Sequence, residues 1–264
     1  MLNKKDLIKN IENITKDHPT FLYDVSITTP SSDTRSNKQL INPNSSMSRM
    51  NLYTVDWSGF SKNYQVMPIQ KDVNYKIKSV IVISSFTHVA ADYFFSNYLL
   101  NPILYHLNKH YNPSYDKNGV FFLWDDYVFD RKQYALRSGI AKLSKTSMVF
   151  HQKFGLNCKI DMIFCTEEFD EMETIEETLY YDNCIGCDAP CVTKCPMECK
   201  MDFELVDWAK CANFADTTHM ANNPEEMCRI CQSSCPHSED LKQEIKKQDS
   251  RYGQYLSPKF LHLN

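Results

Sequence analysis

A run of closely spaced cysteines between residues 184 and 235 constrains this 264-residue chain more than any other feature. The first group reads Cys-x2-Cys-x3-Cys-x3-Cys-Pro, and the second reads Cys-x2-Cys-x3-Cys-Pro, with an isolated cysteine between them. The members of the pattern are Cys184, Cys187, Cys191, Cys195, Cys211, Cys228, Cys231 and Cys235. Thiols at these spacings are typical of metal sites.

The two groups are nearly the bacterial ferredoxin signature, in which the last cysteine of each run binds the other iron–sulfur cluster. Each [4Fe–4S] cluster takes four thiolates, so these eight cysteines suffice for two clusters. The crossover assigns Cys184, Cys187, Cys191 and Cys235 to the first cluster. It assigns Cys195, Cys211, Cys228 and Cys231 to the second. The sequence therefore predicts a protein that transfers electrons one at a time.

Zinc is the main alternative, because paired Cys-x2-Cys motifs also form tetrahedral zinc sites. Zinc ribbons have no use for a third cysteine three residues later, nor for the proline after the last ligand. Disulfides would require an oxidising compartment. Cys199 could replace one of the ligands or could be a small buried side chain, whereas Cys158 and Cys165 lie in an apolar stretch typical of a core strand.

Length and composition place the cysteines at the end of a larger protein. About 180 residues precede Cys184, which is enough for a domain with its own core. The net charge of −4 argues against a general DNA-binding protein. The N-terminal residues lack the apolar core of a secretory signal, and no apolar run is long enough to span a membrane, so we expect a cytoplasmic protein.

Hydrophobic periodicity predicts an α/β (α+β) sandwich, with helices packed on a mixed sheet, followed by the cysteine-rich module. Predicted helices cover 3–16, 90–110 and 130–139, and predicted strands cover 79–85, 120–124, 147–150 and 159–166. The polar stretch 27–50 is predicted to be a loop. The predicted divisions are an N-terminal extension (1–75), an α/β domain (76–178), a ferredoxin-like module (179–245) and a C-terminal tail (246–264).

Several short motifs in the stretch from Ser79 to Pro236 resemble epoxyqueuosine reductase and, more distantly, the reductive dehalogenases. The segment RSGIAKLSKTSMVF (137–150) stands where the reductases have a sequence like KAGLGWIGKNTLLL, and MIFCT (162–166) resembles their GEIFT strand. FLWD (122–125) resembles a strand end that presents the catalytic aspartate, twelve residues before Arg137. The isolated Cys211 matches a lone cysteine of the family.

The resemblance implies a nitroreductase-like domain that binds cobalamin, followed by a module with two [4Fe–4S] clusters. It implies that Asp125 is the catalytic proton donor, with Asp126 as the adjacent alternative. It also implies that Gly139, Lys145 and Thr146 contact the cofactor. The expected partners are a low-potential electron donor, such as reduced flavodoxin or ferredoxin, and a small-molecule or tRNA-base substrate. A weakly basic stretch over 131–145 is compatible with tRNA or with an ordinary solvated surface.

The segment 141–146 departs from the family pattern. The glycine-rich turn that the resemblance places against the corrinoid is here Ala-Lys-Leu-Ser-Lys-Thr. Glycine allows close approach of the backbone to a flat cofactor, whereas side chains at the same positions project outward. This change favours the alternative function, a corrinoid-free electron-transfer protein or docking partner of another redox enzyme.

Overall fold

The structure is a computed structural model with a mixed α/β fold. It describes residues 1–16, 22–30, 77–86, 103–114, 116, 119–124, 131–177, 179–198, 210–211, 214, 228 and 230–238. The described helices are α1 (Lys4–Thr15), α2 (103–111), α3 (Arg131–Arg137), α4 (Pro190–Thr193) and α5 (Ile230–Ser233). None of them has both the length and the apolar character needed to cross a membrane.

The strands form a four-stranded sheet and a separate hairpin. They are β1 (Tyr23–Thr28), β2 (Ser79–Phe86), β3 (Phe122–Trp124), β4 (Ala141–Leu143), β5 (Val149–His151) and β6 (Cys158–Cys165). The main sheet has the order β1-β2-β6-β3, and β4 pairs with β5. Each pairing within these described strands is antiparallel, so the prediction of a mixed sheet is wrong for this part of the chain.

Strand β2 is buried along its whole length because both faces of the sheet are covered. Ile81 and Ile83 pack on one face with side chains of α1, α2 and β6. Val80 and Val82 pack on the other face with α3 and β4. The continuous apolar sequence of β2, without polar alternation, follows from this burial on two sides.

The N-terminal residues contribute to this core. Leu7 and Ile11 are fully buried on one face of α1, as the predicted periodicity requires. The Asn3 side chain caps the helix by accepting a hydrogen bond from Asp6 N. Strand β1 was not predicted, and it begins before position 27, where the predicted loop starts. Its residues pair with β2 from Tyr23↔Ser85 to Thr28↔Val80.

The other predicted elements are confirmed where the structure describes them. Strands β2, β3, β5 and β6 lie within one or two residues of their predicted positions, and α2 is the described end of the predicted helix 90–110. Helix α3 is followed by Gly139 in the left-handed region, at φ +70°, a conformation typical of a glycine that ends a helix. Cys165 is a fully buried core residue, as predicted. The rest of the loop 27–50 and the C-terminal tail 246–264 lie outside the described residues.

The side chain of Asn108 bonds the backbone of β3 on the side that faces away from β6. Its Nδ2 donates to Phe122 O at 2.8 Å, and its Oδ1 accepts from Phe122 N at 2.8 Å. The carboxamide therefore makes the pair of hydrogen bonds that a neighbouring strand would make. Asn108 and Phe122 are both buried, so water does not replace these bonds.

We expect Asn108→Ala to lower the free energy of unfolding by about 2–4 kcal/mol, because two buried backbone groups of Phe122 lose their partner. Urea denaturation measures the change. Asn112 is the matched control, since its carboxamide bonds Asp116 in the same way, at 3.0 and 2.9 Å, but Asp116 is exposed. Water can satisfy Asp116, so Asn112→Ala should cost less; equal losses would contradict the structural role of Asn108.

Candidate functional site

The first three cysteines lie in tight turns beside the sheet. Cys184 ends a short 3-10 helix (Asp182–Cys184), and Cys191 lies in α4. Gly186, between Cys184 and Cys187, has φ +80°, a conformation that glycine adopts without steric cost. This turn brings Cys187 N to 3.3 Å from Cys184 O. Cys184 and Cys191 are buried, and Cys187 is half-buried.

Cys235, near the C-terminal end of the cysteine-rich segment, lies near these three cysteines. Burial raises the pKa of Cys191 to about 12, and the neighbouring thiols Cys235, Cys184 and Cys187 add to the rise. Cys191 and Cys235 also share a buried apolar cluster with Phe150 and Leu156. The structure thus groups the four cysteines that the crossover assigns to the first cluster.

A second group forms around Cys231. Burial raises the pKa of Cys231 to about 11, with further contributions from Cys228 and Cys211. The Cys231 thiol lies 3.8 Å from the sulfur of Met148. Three of the four cysteines assigned to the second cluster are therefore neighbours. Cys195 follows α4 in the sequence, and its backbone N donates to Val192 O. Cys199 lies outside the described residues.

Backbone N–H groups lie beside several of these sulfur atoms. Ala189 N donates to Cys187 Sγ at 3.4 Å. The N–H groups of His237 and Ser238 partly offset the rise in the pKa of Cys235 caused by burial. Pro236 has no N–H and begins the helical residues 236–238, and Ser238 N donates to Cys235 O at 3.1 Å. An N–H group close to a sulfur atom stabilises a thiolate more than a thiol.

Without a cation, the buried thiols stay protonated at neutral pH because their pKa values are raised by burial. Binding a metal group would displace these protons. Within the described ranges, no group of three or more His, Cys, Asp or Glu side chains lies in an arrangement for one metal ion. A tetrahedral zinc site with Zn–S bonds of about 2.3 Å would need its sulfur atoms about 3.8 Å apart, and the described residues contain no such arrangement.

Ser238 attaches the Cys235 turn to the loop between β5 and β6. Its fully buried hydroxyl accepts hydrogen bonds from Leu156 N at 3.0 Å and from Asn157 Nδ2 at 2.7 Å. Gly155 has φ +61°, and a Cβ at this position would lie 2.9 Å from Ser238 Cα. Sequence reasoning did not identify this attachment, because it joins residues about 80 positions apart in the chain.

The hairpin β4–β5 corrects the prediction of a turn over 141–146. Residues 141–143 are a strand, because Ala141 and Leu143 are apolar and pack inward, and the turn lies between Leu143 and Val149. The buried Thr146 hydroxyl is hydrogen-bonded to Ser144 Oγ at 2.7 Å. Lys145 Nζ donates to Cys187 O at 2.9 Å. Two of the predicted cofactor contacts are therefore engaged by the protein itself.

The third predicted cofactor contact, Gly139, lies beyond α3 and faces a different part of the protein. A Cβ added there would lie 3.0 Å from Ile175 Cδ1 and 3.3 Å from Glu173 Oε2. The predicted proton donor Asp125 and its neighbour Asp126 lie outside the described residues. Strand β3, which ends at Trp124, is the element that leads to them.

The basic residues of 131–145 are largely neutralised by the protein. Arg137 bonds Glu176 at 2.9 Å, and Lys142 bonds Asp182 at 3.0 Å. Arg131 lies 3.7 Å from the buried carboxylate of Asp161. This stretch therefore resembles a paired protein surface more than a nucleic-acid-binding patch.

The described fold is similar to solved structures of epoxyqueuosine reductase, as the sequence motifs predicted. The enzyme from Streptococcus thermophilus matches with a TM-score of 0.54 and 14% identity, over 88% of this chain and 66% of that chain. The Bacillus subtilis enzyme matches with a TM-score of 0.55 and 16% identity, over 89% of this chain and 65% of that chain. These likenesses confirm the predicted resemblance at the level of the fold.

A third similar structure is epoxyqueuosine reductase with an epoxyqueuosine-modified tRNA-Tyr stem loop, with a TM-score of 0.55 and 18% identity. It is matched over 89% of this chain and 65% of that chain. This chain thus spans just under two thirds of the length of the reductases. Catabolic reductive dehalogenases match with a TM-score of 0.44, which is too low to support an argument. No protein-family model and no curated protein matches the chain.

We expect Gly155→Ala to destabilise the protein more than Gly186→Ala. Both glycines have positive φ, so each alanine costs about 1–2 kcal/mol in backbone strain. Only at Gly155 does the new methyl group also meet Ser238, whereas nothing lies within 4 Å at Gly186. The overlap should add about 1–3 kcal/mol. Urea denaturation of both variants gives the difference, and equal losses would show that Ser238 yields freely.

Proposed function

We propose that this chain is an iron–sulfur reductase that transfers electrons through two [4Fe–4S] clusters to a bound electrophilic substrate. The neighbours in fold are reductases, and the proposal extends that activity to this chain. Residues 179–245 are its ferredoxin-like module. Residues 76–178, with α1 and β1 from the preceding segment, form its nitroreductase-like domain.

The packing of Cys191 with the distant Cys235 in one buried cluster, with Cys184 and Cys187 near enough to raise the pKa of both thiols, is the observation that supports the proposal. A last cysteine that joins the other run is the ligand order of two-cluster ferredoxins. The thiols, the N–H donors that face them and their apolar surroundings suit a thiolate-bound cluster, whose chemistry is the transfer of single electrons.

The protein's own residues would exclude water from the first cluster and hold its thiolates. Phe150 and Tyr181 stack with centroids 3.7 Å apart beside Cys191 and Cys235. In these apolar surroundings, charges interact more strongly than in water.

The low-potential donor expected for such a site is a reduced flavodoxin or ferredoxin. The side chain of Ile185, between Cys184 and Cys187, is 71% exposed, so the loop of the first group lies at the protein surface.

We expect Cys211→Ser to reduce the metal content of anaerobically purified protein from two clusters towards one. Serine removes a thiolate of the second group and leaves the first group intact. Cys165→Ser is the matched control, because Cys165 is buried in the sheet core among aliphatic side chains, and this variant should keep both clusters. Iron and acid-labile sulfide analysis gives the count. Unchanged iron in Cys211→Ser, or stoichiometric zinc in the wild type, would contradict the assignment.

We propose Asp125 as the proton donor to the reduced substrate. Carboxylic acids serve as general acids when they lie within hydrogen-bond reach of the leaving atom. The tRNA-bound neighbour makes an epoxyqueuosine-modified tRNA stem loop the first substrate to test. Because Lys145 and Thr146 are engaged by the protein, the described residues do not provide the expected contacts for cobalamin, and no step is assigned to it.

We expect Asp125→Asn to abolish conversion of the epoxyqueuosine-modified stem loop while iron and sulfide contents stay unchanged. The amide keeps the size of the side chain but cannot donate the carboxylic proton. Conversion under dithionite, followed by mass spectrometry of the nucleoside, measures the effect. Asp126→Asn is the matched control and should remain active. Full activity of Asp125→Asn would reject its role.

The second candidate function is a corrinoid-free electron-transfer protein. The internally bonded turn, in which Ser144 Oγ donates to Met148 O at 2.9 Å, favours this function because it offers these side chains to the protein rather than to a cofactor. Stem-loop reduction, assayed anaerobically with and without added cobalamin, separates the two candidates. Reduction under either condition supports the enzyme, and intact clusters without any stem-loop reduction support the carrier.

A further inference from the structure

We propose that Lys145 is a positioning residue whose ammonium group raises the reduction potential of the cluster held by Cys184, Cys187, Cys191 and Cys235. This inference rests on the proposed function and adds to it a residue that sets how readily the first cluster accepts an electron. It follows from the contacts of the β4–β5 turn, which sequence reasoning placed against a different cofactor.

The turn fixes the position of Lys145. Ser144 Oγ is bonded to Thr146 Oγ1 at 2.7 Å and to Met148 O at 2.9 Å. Ser147 N donates to Ser144 O at 2.9 Å, and Ser147 has φ 59°. A non-glycine residue in this conformation persists where surrounding contacts hold it. Lys145 is therefore presented by a closed and buried turn.

Lys145 contacts the first cysteine loop through two groups. Its Nζ donates to Cys187 O at 2.9 Å. Its backbone N–H and its ammonium charge both oppose the rise in the pKa of Cys184 that burial causes. The same residue therefore bonds the Cys187 carbonyl and lies near the Cys184 thiol.

The hairpin and the cysteine loop are joined so that this geometry is maintained. Leu143 N donates to Leu179 O at 2.8 Å, and Tyr181 N donates to Leu143 O at 2.9 Å. These two bonds align the segment before Cys184 with β4 as a parallel bridge. Displacement of the cluster loop from Lys145 would break both backbone bonds.

The described contact of the Lys145 ammonium group is with a backbone carbonyl oxygen and not with a carboxylate. Its bonded partner, Cys187 O, is neutral, and the lysine is half-buried. By contrast, Lys142 on the same hairpin is bonded to the carboxylate of Asp182, whose side chain is 78% exposed. A half-buried charge is screened less by water and salt than an exposed pair.

An added electron makes a thiolate-bound cluster more negative. A nearby positive charge and N–H donors to the sulfur atoms stabilise that reduced state, and both are known determinants of cluster potential. Removing the ammonium should therefore make the first cluster harder to reduce. The second cluster, whose described neighbour in the turn is Met148, should be affected less.

The experiment compares Lys145→Gln, Lys145→Met and Lys145→Arg with the matched control Lys142→Met. Each full-length protein is purified anaerobically, assayed for iron and sulfide, and titrated with dithionite while the reduced clusters are followed by electron paramagnetic resonance. Dithionite supplies the electron, so no substrate or natural donor is needed. Glutamine retains a hydrogen-bond donor without the charge, and arginine retains both.

We expect both neutral variants to hold two clusters, with one midpoint potential shifted to a more negative value. Lys145→Arg should restore the potential towards that of the wild type, and Lys142→Met should leave it unchanged. Intact clusters with unshifted potentials in both neutral variants would overturn the inference alone. Loss of iron from both neutral variants, with retention in Lys145→Arg, would also overturn it by assigning Lys145 to assembly. Wild-type protein without iron or sulfide would overturn the proposed function itself.

Discussion

The candidate site depends on the contact between the β4–β5 hairpin and the cysteine-rich segment. Backbone bonds of Leu143 to Leu179 and Tyr181 align the segment before Cys184 with the hairpin. Stacking of Phe150 on Tyr181 covers the same junction. On the other side, Ser238 attaches the Cys235 turn to the loop after β5. Two remote parts of the chain therefore meet on one scaffold, and their thiols become neighbours.

The hairpin can hold the cysteine-rich segment because it packs on the four-stranded sheet, which is covered on both faces. One face packs against α1 and α2, and the other packs against α3 and β4. Strand β4 is thus part of the core through Ala141 and Leu143 while its backbone bonds the cysteine segment. Packing on the sheet fixes the position of the hairpin beside the cysteines. The buried residues of β4 therefore belong both to the core and to the candidate site.

The polar side chains of the hairpin turn are directed towards the protein rather than outward. Lys145, Ser144 and Thr146 make their described bonds to the Cys187 carbonyl, to Met148 O and to one another. In the reductases that the sequence resembles, the corresponding segment is rich in glycine. In this chain, the side chains at these positions stabilise the turn and contact the cysteine loop.

The sequence by itself determined the order and type of most secondary elements and the resemblance in fold, and it predicted the two cysteine sets. These depend on local periodicity and on spacing along the chain, as the apolar run of β2 and the two Cys-Pro groups show. Strand β1, the pairing of β4 with β5 and the contact of Lys145 with Cys187 were decided only by the tertiary structure. Each joins residues that are distant in sequence or whose side-chain direction depends on burial by other elements, and no local pattern specifies such contacts.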